Sequence, residues 1–141
     1  MKNTKCKLYF FNKSELKHYY IDKILPIENN ALVSALTKEL QSTSYSENFL
    51  SLTDKVKIQS AKLDETTGIL KIVFSDDYVD HMTLGTATES GLLTSLLATY
   101  GYNLGANKIS IYFKDKLYTC LGDLQEEYFT VKYPSAKLYT P

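Results

Sequence analysis

Hydrophobic and polar positions alternate with a period of two near the start of the chain, switch to a helical period near residue 30, and then make the same exchange again. The segment 6–12, CKLYFFN, predicts an aromatic-rich strand, and 16–25, LKHYYIDKIL, a second one. The polar run Asn12-Lys13-Ser14-Glu15 between them predicts a hairpin. Over 29–42, Leu32, Ala35, Leu36 and Leu40 recur at helical spacing, and Asn29 or Asn30 is placed to cap the start. After a polar connection over 42–54, residues 55–64 and 69–75 alternate around Glu65-Thr66-Thr67-Gly68, predicting a second hairpin. Leu70, Ile72 and Phe74 share one face of its second arm, with Ile69 and Val73 on the other. Bulk on both faces predicts a central strand.

Thr86-Ala87-Thr88-Glu89 has the form of a capping box, in which the Thr86 hydroxyl meets the Glu89 amide and the Glu89 carboxylate reaches back. Leu92, Leu93, Leu96, Leu97, Tyr100 and Leu104 follow as an apolar stripe, and Gly105 is a natural stop. Residues 108–113 and 117–122 predict a last hairpin across Lys114-Asp115-Lys116, and the C-terminal stretch adds a short strand before fraying. The order ββ-α-ββ-α-ββ predicts an α+β two-layer sandwich, with two helices packed on one face of a mostly antiparallel sheet. One domain over 1–141 is expected, with its core at about 5–130 and a tail at 131–141.

A chain of 141 residues buries about two-thirds of its unfolded surface and needs no metal or disulfide staple. Sixteen basic and sixteen acidic residues cancel, and every basic residue is Lys. Without the Arg fork, and without net positive charge, nucleic acid is not the expected partner. Cys6 and Cys120 sit in apolar runs and read as buried thiols, a disulfide requiring an oxidising compartment. With no CxxC and two His, a Cys/His zinc site is not expected. No run approaches the roughly 18 apolar residues of a membrane span, and Met1 opens no signal-peptide core. Either the protein is cytosolic or Met1 begins a piece of a longer chain.

Asp76, Asp77, Asp80 and His81 crowd one stretch just before the second helix. Carboxylates suit hard cations, and a metal-dependent hydrolase using Asp76, Asp80 and His81 is the chemistry they would serve. Their spacing fits neither an EF-hand loop nor HExxH, so a solvated corner between strand and helix is the simpler account. GxSxG, P-loop and GxGxxG motifs are absent; no catalytic residue, metal site or cofactor is assigned. The twelve tyrosines are the unusual feature. Aromatics on a sheet can stack RNA bases, but SIYFKDKL lacks the Gly- and Lys/Arg-rich signature of such modules. Most are expected to be core or cross-strand partners. Tyr19, Tyr20 and Tyr118 are the candidates for surface contact, with a protein or, alternatively, with glycan or peptidoglycan.

With its elements in this order, the sequence resembles the GerMN domain of spore germination and sporulation lipoproteins, over about residues 5–130. KLYFFNKSELKHYY looks like the family's aromatic first strand, polar turn and second strand, and NNALVSALTKEL falls at its first helix. VKIQSAKLDETTGILKIVFSDDYV is similar to its hairpin, with Ser75 and Tyr78 at the small polar and aromatic positions. GTATESGLLTSLLATYGYNLGANKISIYFKDKLY follows its small-residue turn, acidic capping position, Leu-rich helix and final hairpin. Asp115-Lys116 stands where the family often has Gly, and LLATYGY replaces a more polar segment. The resemblance implies a non-enzymatic, extracytoplasmic module, soluble by itself and tethered through an anchor that this chain lacks. It implies a protein partner or self-association in the cell envelope, with exposed helix faces and sheet edges meeting neighbours. Calorimetric titration with Ca²⁺, Mg²⁺, Mn²⁺ and Zn²⁺ is expected to give no binding heat; a saturable signal abolished by Asp80→Asn would restore the metal site.

Overall fold

In the computed structural model, residues 2–29, 31–75, 82, 85–120, 124 and 126–140 are described. Strands β1 (Lys2–Asn12) and β2 (Lys17–Ile27) form the expected hairpin, antiparallel and in register from Lys2↔Ile27 to Asn12↔Lys17. Asn12 closes the turn: its Oδ1 accepts the Ser14 and Glu15 amides, each at 2.9 Å, while Leu16 takes the left-handed conformation at φ 56°. Helix α1 (Leu32–Leu40) buries Val33, Leu36, Thr37 and Leu40. Its N-cap is Ala31, with no side-chain hydrogen bond, so Asn29 is not the cap; Asn29 turns the chain at φ 52°, and Asn30 lies outside the described residues. Strand β3 (Phe49–Leu50) then pairs with the end of β1.

The second hairpin joins β4 (Ile58–Leu63) and β5 (Ile69–Phe74), and β5 is central as its two bulky faces predict. Its other neighbour is β6 (Lys108–Phe113), in parallel register, reached through helix α2 (Thr86–Leu104) as the crossover. Three short strands complete the chain: β7 (Lys116–Leu117), β8 (Phe129–Thr130) and β9 (Ala136–Leu138). The architecture is α+β, as expected, but the strands divide between two sheets, β3-β1-β2-β9 and β4-β5-β6-β7 with β8 on β6. Hairpin signals report pairing between neighbours in sequence; they are silent on which hairpins share a sheet. The C-terminal segment supplies the expected short strand. β9 pairs in parallel with His18–Tyr20, and the Tyr139 hydroxyl donates to the Tyr45 carbonyl at 2.8 Å.

Helix α2 departs most from its sequence reading. From Gly91 to Gly101 every residue except Thr94 is buried, so α2 is a central helix rather than one with a solvated face. Its polar residues tolerate this enclosure by bonding backbone. Asn103 Oδ1 accepts the Lys7 amide at 3.0 Å and its Nδ2 donates to the Lys7 carbonyl at 2.7 Å, while Thr99 Oγ1 accepts the Tyr9 amide at 2.9 Å. Lys7 and Tyr9 are the β1 residues whose backbone groups point away from β2, so helix side chains close the strand's edge. Between α1 and α2, buried Tyr100 and Thr37 share a hydroxyl hydrogen bond of 2.7 Å. Gly105, at φ 67°, ends the helix as predicted.

The capping box does not form. Gly85 is the N-cap, at φ 94°, and Glu89 is 2% exposed, its Oε2 accepting the hydroxyl of Tyr118. Glu89 Oε1 has no hydrogen-bond partner among the described residues. A carboxylate three residues into a helix can either reach back to the cap or be drawn into the core; the buried phenol of Tyr118, just past β7, selects the second. Cys6 and Cys120 are not joined by a disulfide. Asp76, Asp77, Asp80 and His81 lie outside the described residues, as does the end of the strand predicted over 117–122.

α2 also meets the first hairpin at Gly91, where a Cβ, were one present, would stand 2.6 Å from three atoms of the Phe11 ring. His18 Nε2 donates to the Gly91 carbonyl at 3.1 Å, and its ring lies 5.0 Å from that of Phe11. Gly91→Ala is therefore expected to destabilise the fold by about 1–3 kcal/mol through overpacking, outweighing the gain of up to ~1 kcal/mol in helix propensity; urea denaturation measures the difference. Burial lowers the His18 pKa from its ordinary 6.5, against the weaker opposing effect of the Gly91 bond. The unfolded chain thus takes up the proton first. His18's contribution is complete above pH 6.5 and lost as pH falls through the lower folded value. Denaturation from about pH 7.5 to 5 is expected to show a steeper loss for the parent than for His18→Gln; parallel curves would exclude this coupling.

Candidate interaction surfaces

The backbone clamp on Lys7 creates the most distinctive surface. Because Asn103 grips the Lys7 main chain, the preceding helix residue, Tyr102, is held over the Lys7 side chain, with Nζ 5.1 Å from its ring centroid. Tyr9, two residues along β1 on the same face, and its cross-strand partner Tyr20 supply two more rings, at 5.6 and 4.2 Å from Nζ. A fourth comes from the C-terminal segment. The Val131 amide donates to the Asn107 carbonyl at 2.8 Å and β9 docks beside β2, so the chain between them carries Tyr133 to 6.2 Å from Tyr9 and 6.5 Å from Tyr102. Tyr9 is buried beneath this group and Tyr20 is half-buried, whereas Tyr102 and Tyr133 are 54% and 49% exposed. Burial raises the Tyr133 pKa, and its phenol neighbours add to the effect. Among the described residues no carboxylate forms an ion pair with Lys7.

The sequence candidates fall in three separate places. Tyr20 belongs to this cluster. Tyr19, adjacent on β2, points to the opposite face, where it meets Phe49 and Tyr139 at 5.6 and 6.1 Å and donates its hydroxyl to Glu15 at 2.7 Å. That hydrogen bond is the main cause of its raised pKa. Tyr118 is not a surface residue: it is 3% exposed, packed against Phe113 and Phe129, and bonded to Glu89. Burial first, then the Glu89 bond, push its phenol far above the ordinary value. Sequence reasoning missed Lys7, Tyr102 and Tyr133 as site residues. The Lys7/Tyr9 spacing of two was a usable signal; nothing local links residue 133 to residue 9.

A second surface is the open side of β4. Among the described residues this strand ends its sheet, and all its residues after Ile58 are exposed. The Asp64 amide bonds to the Ile69 carbonyl at 2.9 Å, which fixes the phase of the ladder and turns the backbone groups of Ala61 and Leu63 outward. Beneath them a groove of about 250 Å³, polar and apolar in nearly equal parts, is lined by Val33, Ser34, Ile58, Ala61, Leu63 and Leu70. Among the described residues no three His, Cys, Asp or Glu side chains converge to hold a metal.

Neither a family model nor a curated protein sequence matches the chain. Its fold does have solved counterparts. It is similar to the tandem GerMN domains of the sporulation protein GerM from Bacillus subtilis, with a TM-score of 0.63 and 15% identity over 94% of this chain and 44% of that one. It is also similar to the first GerMN domain of that protein alone, with a TM-score of 0.55 and 14% identity over 93% and 96% of the two chains. The chain thus has a GerMN-like fold and spans less than half of the tandem structure.

Proposed function

We propose that this GerMN-like domain is a non-catalytic protein-interaction module that works in an assembly at the bacterial cell envelope, during sporulation or germination. It acts outside the cytoplasm, held at the membrane. The observation that carries the reading is the open edge of β4 among the described residues, with outward backbone groups at Ala61 and Leu63 above a groove floored by Val33, Ile58 and Leu70. Such an edge accepts an added strand from a neighbouring subunit: main-chain hydrogen bonds supply affinity, and alternate side chains enter the groove. The similar fold of domains from a sporulation protein supports the setting.

Sedimentation velocity over a concentration series is expected to show self-association, or chemical crosslinking in sporulating cells to recover an envelope partner. Ala61→Pro removes an outward N–H without breaking a ladder bond to β5 and is expected to weaken that association about tenfold, with folding stability nearly unchanged. Fractionation through growth and sporulation should place the native protein in the membrane fraction, accessible from outside. A strictly monomeric protein with no crosslinked partner, or one confined to the cytosol, would overturn the proposal.

A further inference from the structure

The geometry around Lys7 points to a second binding site, separate from the β4 edge: we infer that Tyr20, Tyr102, Tyr133 and Lys7 form a platform for a carboxylate-bearing glycan. This inference stands apart from the strand-pairing reading and narrows the glycan contact expected at Tyr19 and Tyr20 to one face of one sheet. Tyr19 drops out because it packs on the opposite face.

Three properties of the cluster select this ligand. First, Tyr102 and Tyr133 are 54% and 49% exposed although they come from a helix end and a strapped segment that the fold holds in place. The two rings pack on Tyr9, Lys7 and each other, which leaves about half of each side chain facing water and open to a ligand. Secondly, each tyrosine presents a flat apolar face with a hydroxyl at its rim. A pyranose ring has the matching form, an apolar C–H face edged by hydroxyl groups, so stacking and hydrogen bonding are satisfied together. Thirdly, the Lys7 ammonium lies within 6 Å of three ring centroids and is only half-buried, with no ion-pairing carboxylate among the described residues. The rings steady that cation through their quadrupoles, and Asp22, its cross-strand partner on the same face, forms no ion pair with it. The charge remains available to an anion carried on the sugar. One ammonium amid the rings, in a chain of zero net charge without Arg, matches an isolated carboxylate better than a polyphosphate chain.

The probe is purified peptidoglycan sacculi stripped of anionic polymers, whose carboxylates are left free or blocked as amides. The parent protein is expected to be retained on free sacculi, with retention roughly tenfold lower for Tyr102→Ala/Tyr133→Ala and for blocked sacculi. Lys7→Met keeps the apolar stem and removes the charge, so it should abolish the preference for free over blocked sacculi. Thermal melts of each variant establish that folding is intact; the two tyrosines are exposed, so little loss is expected. Absence of parent retention, equal retention of the double variant, or indifference to carboxylate blocking would each overturn the inference. So would tighter binding to a single-stranded oligothymidine, which would make the platform a base-stacking surface instead.

Discussion

A strand's outer edge cannot be left buried with its amides and carbonyls unpaired, and in this protein the edge of β1 is answered by a helix. Asn103 takes both backbone groups of Lys7 and Thr99 takes the amide of Tyr9. Two polar side chains four residues apart stand on one face of α2 and meet β1 at alternate residues, so helical and strand periodicities coincide at this joint. With α2 pinned against the first sheet and also serving as the crossover between β5 and β6, its stretch from Gly91 to Gly101 is enclosed, Thr94 excepted. Both sheets then share one core, in which Phe10, Leu36, Phe74, Tyr100 and Phe113 are buried together.

Enclosing α2 imposes conditions on the residues that face inward. Where the first hairpin crosses it, only Gly91 leaves room for the Phe11 ring. Where α1 crosses it, the Tyr100 and Thr37 hydroxyls satisfy each other, and Thr37 Oγ1 also reaches the Val33 carbonyl at 2.7 Å. At its first turn the Glu89 carboxylate is covered and accepts the Tyr118 hydroxyl. A phenol donor offsets part of the cost of burying that group, and one oxygen stays without a partner among the described residues. The buried polar residues of this helix are thus distributed by what each neighbour must have bonded.

The remaining edges explain why the surface has specific places for partners. On β2, His18–Tyr20 is covered by β9, and beyond it Pro26 occupies a position whose backbone faces outward, where a missing N–H breaks no ladder bond. β1 is closed by α2 and, at Phe11 and Asn12, by β3. Among the described residues, β4 is the one longer strand that keeps an open side along its whole length. The clamp that closes β1 also sets Tyr102 over Lys7, so one physical device both blocks pairing on that edge and builds the tyrosine platform.

Local patterning determined a good deal by itself. Alternation placed both long hairpins, made β5 central, and set Tyr19 and Tyr20 on opposite faces; helical spacing placed α1 and α2, with Gly105 as the stop. These features are legible because each depends on residues within a few positions of one another. Tertiary structure decided the rest. Division into two sheets, the parallel pairing of β5 with β6, and the capture of the C-terminal segment depend on which distant surfaces meet. Glu89 has the spacing of a capping residue, yet Tyr118, 29 residues away in sequence, takes its carboxylate. Tyr118 reads as one more strand aromatic, and only the packing of Phe113 and Phe129 around it shows that it is core. The platform on Lys7 draws on β1, β2, the end of α2 and the C-terminal segment. A sequence period encodes the face on which a side chain stands, whereas the partner it meets there is set by closure of the whole chain.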